Sequence, residues 1–324
     1  MTDETKPREE IENPERRRFL KSIFGLGSAF EVAQGEPAEA AGPSEKSVPS
    51  GGIFFWGDLK NGNVGFPSGL KVPHTRPGSV MKLVTAACLL EEGLLNPNET
   101  SECRGTIVID SESYHCGEPH GDINIEQAIA KSCNVFFARA TRKTGPAAII
   151  EYAQKFGFDR AVAGFECGAF PTKPKYSTVL YALGLADDLQ PNALQLLRLA
   201  AIFATEGDVP PLKNAGMFDT NDLSVKPFAL KLKDSTFRHI RAGMVMACQN
   251  GTAEKLDPHH KLKIAAKTGT VARGRKFESW VTGYFPHDNP KHAFCLYAPV
   301  GTSHDSAIPQ AREQLLSVEW PGSQ

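Results

Sequence analysis

Arg76-Pro77-Gly78-Ser79-Val80-Met81-Lys82, followed by the apolar run 83–90, is the stretch on which the rest of the chain is organised. Pro77 and Gly78 interrupt the backbone, and Ser79 opens a predicted helix that runs to about Glu92 and stops at Gly93. Met81, Val84, Ala87, Cys88, Leu89 and Leu90 leave little room for a wet face, so the helix is expected to be buried. A lysine in such a helix needs a partner, because an isolated buried charge is costly. Ser79 stands three residues before Lys82 and projects from the same face, one turn away. Burial favours a neutral amine, and a neutral amine beside a hydroxyl is a base beside a nucleophile. The same spacing also fits an ordinary helix start with one surface lysine, so segments further along the chain decide between the two.

With 324 residues the chain can form one large domain or two modest ones. Its 36 basic and 37 acidic side chains leave a net charge of -1 and no basic stripe in the body of the chain, which argues against a dedicated nucleic-acid binder. No apolar run reaches the length needed to cross a bilayer. The seven cysteines are too few and too scattered for a disulfide-built miniprotein, and their spacing matches no zinc template. Residues 1–50 read as an address and a flexible linker. Arg16-Arg17-Arg18-Phe19-Leu20-Lys21, followed by the mildly apolar 22–30, resembles a twin-arginine export signal, with Ala38-Glu39-Ala40 as a candidate cleavage site. Export would place the protein in the periplasm or cell envelope. The alternative is a basic tail or a short amphipathic helix with weak membrane association.

The folded chain is expected to begin near Gly51. Residues 52–56 form a short apolar strand, Lys60-Asn61-Gly62-Asn63 a hairpin turn, and 64–66 the return strand. Cys103 and Cys116 bracket a strand-like segment, 106–110; in an exported protein they could close a small loop as a disulfide, or stay as two thiols. Residues 123–142 carry a helical stripe of Ile125, Ile129, Val135 and Phe136, interrupted by Ser132-Cys133-Asn134. Serine and asparagine prefer caps to helix interiors, so the triplet needs a reason: a helix-helix junction, or a function. Helices follow from Thr144 to Phe156, over 191–207 as an amphipathic element, and over 237–251. Strands are expected over 263–266, entering Lys267-Thr268-Gly269-Thr270, then over 280–285 and 292–298, before a closing helix, 308–318. Strands at both ends with helices between them predict an α/β (α+β) fold, an antiparallel sheet flanked by helices with an inserted helical subdomain.

Ser79-x-x-Lys82, Ser132-x-Asn134 and Lys267-Thr268-Gly269 stand in that order, roughly fifty and a hundred and thirty residues apart. Singly they say little. Together, the set resembles that of the penicillin-binding proteins and class A β-lactamases. From Gly51 to the C-terminus the chain is similar to a penicillin-binding transpeptidase domain. Pro77-Gly78-Ser79, Gly157-Phe158, Pro191 with Gln195, Gly251-Thr252-Ala253, Trp280 with Gly283, and Phe285-Pro286 fall at that family's usual signposts. Cys103 to Cys116 followed by His120-Gly121 resembles an insertion seen in elongation-type members.

The resemblance implies that Ser79 attacks a D-alanyl-D-alanine stem peptide of peptidoglycan and that Lys82 takes its proton. Ser132 would relay a proton towards the leaving group beside a cationic Lys267, and Asn134 would hold the substrate amide and steady Lys82. Lys267 and Thr268 would bind the terminal carboxylate, Gly269 would let the strand edge approach the substrate backbone, and the Ser79 and Thr270 N–H groups would form the oxyanion hole. Lys82 is expected to lose its proton readily, with Lys267 nearby keeping its own. No metal or organic cofactor is required, and β-lactams would be covalent inhibitors. The class A Glu-x-x-Leu-Asn deacylation signature is absent, and Glu166 reads as a loop residue, so an acylated Ser79 is expected to persist. The alternatives are a β-lactam or muropeptide sensor or scaffold, and a class D-like β-lactamase, which usually has an apolar residue where Asn134 stands. Arg273-Gly274-Arg275-Lys276 reads as a solvated basic turn.

Overall fold

The computed structural model describes residues 51–67, 69–214, 225–318 and 320. Residues 1–50, which carry the expected export signal and linker, lie outside that range. Strands β1 (Ile53–Asp58) and β2 (Asn63–Gly65) form the opening hairpin, and a 3-10 turn, Gly78–Met81, runs into helix α1 (Lys82–Glu91). An arm of short ladders follows, in which β3 (Ser101–Cys103) pairs β6 (Gly121–Ile123) and β4 (Thr106–Ile109) pairs β5 (Glu112–His115). Helices α2 (Ile125–Ala130), α3 (Asn134–Ala140), α4 (Pro146–Lys155), α5 (Thr178–Ala182) and α6 (Ala193–Ala204) come next. The short strands β7 (Asp208–Val209), β8 (Lys213–Asn214) and β9 (Phe228–Ala229) lead to α7 (Asp234–Asn250). Strands β10 (Ala265–Arg273), β11 (Lys276–Phe285) and β12 (His292–Ala298) precede the last helix, α8 (Ile308–Ser317).

Both ends of the folded chain meet in one sheet of order β10-β11-β12-β1-β2-β8. Its pairings are antiparallel except β2 with β8, a two-residue parallel contact that the hydrophobic pattern does not announce. Every residue of β12 is buried. Successive side chains of a strand point to opposite faces, and both faces are covered. Ala293, Cys295 and Tyr297 enter the core shared with the helical subdomain, whereas Phe294, Leu296 and Ala298 pack with Ile308, Ala311 and Leu315 of α8. Helix α6, expected to be amphipathic, is instead buried along its whole length. Its charged Arg198 turns inward and donates to the carbonyls of Gly157, Arg160 and Ala161, so that polar satisfaction replaces solvent.

Candidate active site

The expected helix start at Ser79 is a 3-10 turn, with the α-helix beginning at Lys82. Side chains three residues apart eclipse in a 3-10 turn, which brings Ser79 over Lys82. The two polar atoms, Ser79 Oγ and Lys82 Nζ, lie 3.0 Å apart. Gly78 takes a left-handed φ of +53°, its N–H donates to Gly184 O at 3.0 Å, and a Cβ there would meet Thr270 O at 2.9 Å. Glycine is therefore required where the turn abuts strand β10. The indole N–H of Trp280 donates to Arg76 O at 3.0 Å, tying the lead-in of the turn to the sheet.

The Ser132-Cys133-Asn134 triplet is the junction between α2 and α3. Ser132 N–H donates to Ile129 O at 3.2 Å and Cys133 N–H to Ala128 O at 2.9 Å, the paired bonds of a left-handed helix cap. Helix α1 ends in the same way at Gly93, but the residue in the left-handed position of the second cap is a serine, with φ +53°. A non-glycine residue held there stores strain, and such residues cluster at functional sites. The cap also aims the triplet at Lys82. Nζ of Lys82 lies 2.6 Å from Ser132 O, 2.6 Å from Asn134 Oδ1 and 3.3 Å from Ser132 Oγ. Asn134 is oriented by its own Nδ2, which donates to His115 O at 2.7 Å. Lys82 is wholly buried, and burial pulls its amine from the ordinary lysine value down to about 8.

Strand β10 carries the third segment along an outer edge of the sheet. Lys267 Nζ lies 2.9 Å from Ser132 Oγ and 3.0 Å from Thr268 O. Ser79 Oγ, Lys82 Nζ, Ser132 Oγ and Lys267 Nζ thus form one unbroken run of polar contacts. Lys267 is also wholly buried, and burial, with Lys82 as a second and smaller cause, drives its amine well below the ordinary lysine value. Burial therefore disfavours the ammonium form of both lysines, of Lys267 as well as of Lys82. Gly269 has a different reason from the expected one. A Cβ there would fall 2.5 Å from Pro77 O, so the glycine lets the strand close on the nucleophile turn.

Ser79, Ser132, Asn134, Thr268, Gly269 and Thr270 line a cleft of about 620 Å³, with the two lysine amines behind its wall. Sequence reasoning missed two residues on the same surface. Thr252, in a segment noted only as a signpost, accepts from Thr268 Oγ1 at 2.9 Å. Ser303, which no local pattern marks, donates its N–H to Thr270 Oγ1 at 3.0 Å. Glu166 is exposed and is not part of this lining, whereas its carbonyl accepts from Asn192 Nδ2 at 2.7 Å. The basic turn 273–276 is exposed, with Arg273 paired to Glu278 at 2.9 Å. The Cys103–Cys116 bridge is unformed: the sulfurs are 3.8 Å apart, both are free, and Cys116 Sγ is 3.6 Å from a third sulfur, Cys133. A disulfide needs a separation of about 2.05 Å.

Comparison with known proteins places this geometry among relatives. The family model for the penicillin binding protein transpeptidase domain matches residues 71–313. PbpB, a penicillin-binding protein of Mycolicibacterium smegmatis, is 27% identical over 271 residues, covering 73% of this chain and 42% of that protein. The peptidoglycan D,D-transpeptidase PbpA of the same organism is 25% identical over 258 residues, covering 71% of this chain and 51% of its own length. The chain thus spans about half, or less, of the curated relatives it matches. Pseudomonas aeruginosa PBP2 superposes with a TM-score of 0.72 at 20% identity, covering 83% of this chain and 72% of that one. At that identity the likeness is one of fold.

Proposed function

This chain belongs to the penicillin binding protein transpeptidase domain family, and from that membership we propose that it is a serine D,D-acyltransferase of peptidoglycan, working through a Ser79 acyl-enzyme. The observation that carries the proposal is the contact run Ser79 Oγ–Lys82 Nζ–Ser132 Oγ–Lys267 Nζ, with steps of 3.0, 3.3 and 2.9 Å. A neutral amine has two N–H donors and one lone pair. The Ser132 and Asn134 carbonyl oxygens, each 2.6 Å from Nζ, take the two donors. The lone pair is left for the Ser79 hydroxyl.

In the proposed reaction the Ser79 proton passes to Lys82 as Oγ attacks the penultimate D-alanine carbonyl. The Ser79 and Thr270 N–H groups receive the oxyanion, an interaction whose loss typically costs about a hundred- to a thousandfold in rate. Ser132 Oγ, between the two amines, hands its proton to the departing D-alanine nitrogen and takes in return the one that Lys82 received from Ser79. The terminal carboxylate meets the Thr268 and Thr270 hydroxyls with Lys267 behind them. That anion raises the proton affinity of Lys267 and so favours its cationic form in the complex. The outer edge of β10 is suited to pair with an extended peptide backbone. An amine acceptor completes transpeptidation and water completes carboxypeptidation. A substrate in the cell wall puts the domain's work outside the cytoplasm.

A fluorescent penicillin, followed by D-alanine release from a pentapeptide, tests the proposal. Rapid, persistent labelling with D-alanine release is expected. Label that turns over quickly indicates a β-lactamase, label without D-alanine chemistry a sensor, and no label contradicts the reading.

Two further outcomes follow from the geometry. Because Lys82 acts as a base only when unprotonated, and its amine titrates at about 8, labelling should speed up as pH rises and level off above that value. Between pH 6 and pH 9 the gain should be about two orders of magnitude, as one group with that affinity dictates. A flat profile would remove Lys82 from the base's role. Replacing Ser132 with glycine relieves the left-handed strain but deletes the hydroxyl. The Tm should hold or rise while labelling slows by about a hundredfold; a lower Tm with unchanged labelling would make Ser132 a structural residue.

A further inference from the structure

Four donor atoms that acyl transfer does not use converge against the Ser132–Asn134 loop. Cys103 ends β3, Cys116 follows β5, His120 precedes β6, and Cys133 stands between Ser132 and Asn134. Cys116 Sγ lies 3.8 Å from Cys103 Sγ and 3.6 Å from Cys133 Sγ, and Cys103 Sγ lies 3.5 Å from His120 Nδ1. All four atoms fall within 4.8 Å of one another. Cys103 and Cys133 are buried, with Cys116 and His120 half-buried beside them.

The two sulfur–sulfur separations are too long for a disulfide, and together with the sulfur–nitrogen one they agree with the spacings that a single shared metal ion sets. Bonded sulfurs would be about 2.05 Å apart. A zinc ion bound at about 2.3 Å by sulfur and about 2.0 Å by nitrogen, with its donors at tetrahedral corners, sets the sulfurs about 3.8 Å apart and each sulfur about 3.6 Å from the nitrogen. We propose that Cys103, Cys116, His120 and Cys133 form a Cys3His site for one structural zinc ion, and that this ion anchors the loop carrying Ser132 and Asn134. Thiolate and imidazole donors select zinc over magnesium or calcium. Four protein ligands close the tetrahedron, so the ion has no open position for substrate. Binding releases the three thiol protons to solvent. The Phe136 N–H, which donates to Cys133 Sγ at 3.2 Å, orients that ligand in the manner of an outer-shell bond.

The ion's place decides its consequence. Cys133 is flanked by the two residues whose oxygens hold Lys82 Nζ, and Cys116 follows His115, whose carbonyl accepts from Asn134 Nδ2. One metal centre therefore clamps both sides of the Asn134 side chain and pins the backbone next to the strained Ser132. Zinc binding stands independently of the acyltransferase reading; the effect on labelling rests on it, and the two are measured separately.

The test is metal analysis of the full chain purified under reducing conditions, with cobalt(II) substitution read by its thiolate absorption. One zinc per chain and a tetrahedral thiolate–cobalt spectrum are expected. The pair Cys116→Ser and His120→Ala should lose both. Stripping zinc with a chelator in the presence of reductant should slow penicillin labelling by about tenfold or more, and adding zinc back should restore it. Less than a tenth of an equivalent of zinc with the thiols reduced and no cobalt spectrum, retention of metal by the double variant, or a Cys103–Cys116 disulfide in envelope-derived protein would overturn the site. Full metal content with labelling indifferent to its removal would overturn the anchoring role alone. Should the double variant fail to fold, the cobalt titration of the unaltered chain still decides.

Discussion

Ser79→Ala is expected to abolish covalent labelling by penicillin while leaving the thermal melt within a few degrees of the parent. Removing a nucleophile removes the bond-forming atom, and comparable serine knockouts lose about six orders of magnitude in rate. The structural loss is small. Ser79 is half-buried, and its Oγ is one of four oxygens within 3.3 Å of Lys82 Nζ. Its deletion leaves the amine satisfied by Ser132 O and Asn134 Oδ1, so no buried polar group is orphaned. The net effect of one such hydrogen bond is about 1 kcal/mol. A melt lowered by much more, or labelling that survives, would make Ser79 part of the scaffold.

Lys82→Met is the second large effect. Methionine matches the length of the lysine stem and carries no base, so labelling should fall by a factor of about a hundred to ten thousand. Its pH profile should also lose the rise through about 8 that the buried amine imposes. That second readout separates a lost base from a disturbed site, which would slow the reaction and keep the rise. Stability should move little, because opposing terms are similar. The variant sheds a wholly buried amine that burial disfavours, and it leaves Ser132 O and Asn134 Oδ1 without that donor. An unsatisfied buried carbonyl costs about 1–3 kcal/mol, comparable with the burial penalty relieved.

How far the sequence reaches can be judged from particular elements. Strand β12 was legible to the residue, because an apolar run ended by Pro299 needs only a sheet with two covered faces. The Ser132-Cys133-Asn134 triplet was legible as an anomaly in a helical stripe. The junction reading holds, and the junction presents the loop to Lys82. Helix α6 was legible as a helix and misjudged in its surroundings: a period of 3.6 reports which side is apolar, while Arg198 hides its charge by bonding to carbonyls almost forty residues away. The parallel edge β8 and the cleft residues Thr252 and Ser303 depend on how distant segments dock, which no local period records. The same limit applies to the cysteines. Cys103 and Cys116 suggested a pair in a row of residues, and folding brings Cys133 and His120 to them. The lysine electrostatics were half legible. Mutual repulsion can be anticipated from two nearby amines, but the depth of burial at Lys267 belongs to the packed structure.

The central claim is that the Ser79 hydroxyl, served by the buried amine of Lys82, forms the covalent bond. Peptide mapping by mass spectrometry after incubation with benzylpenicillin tests it most directly. The account predicts one penicilloyl group per chain, on the peptide containing Ser79 and still present after hours. An unmodified chain, or a penicilloyl group on any other residue, would contradict it.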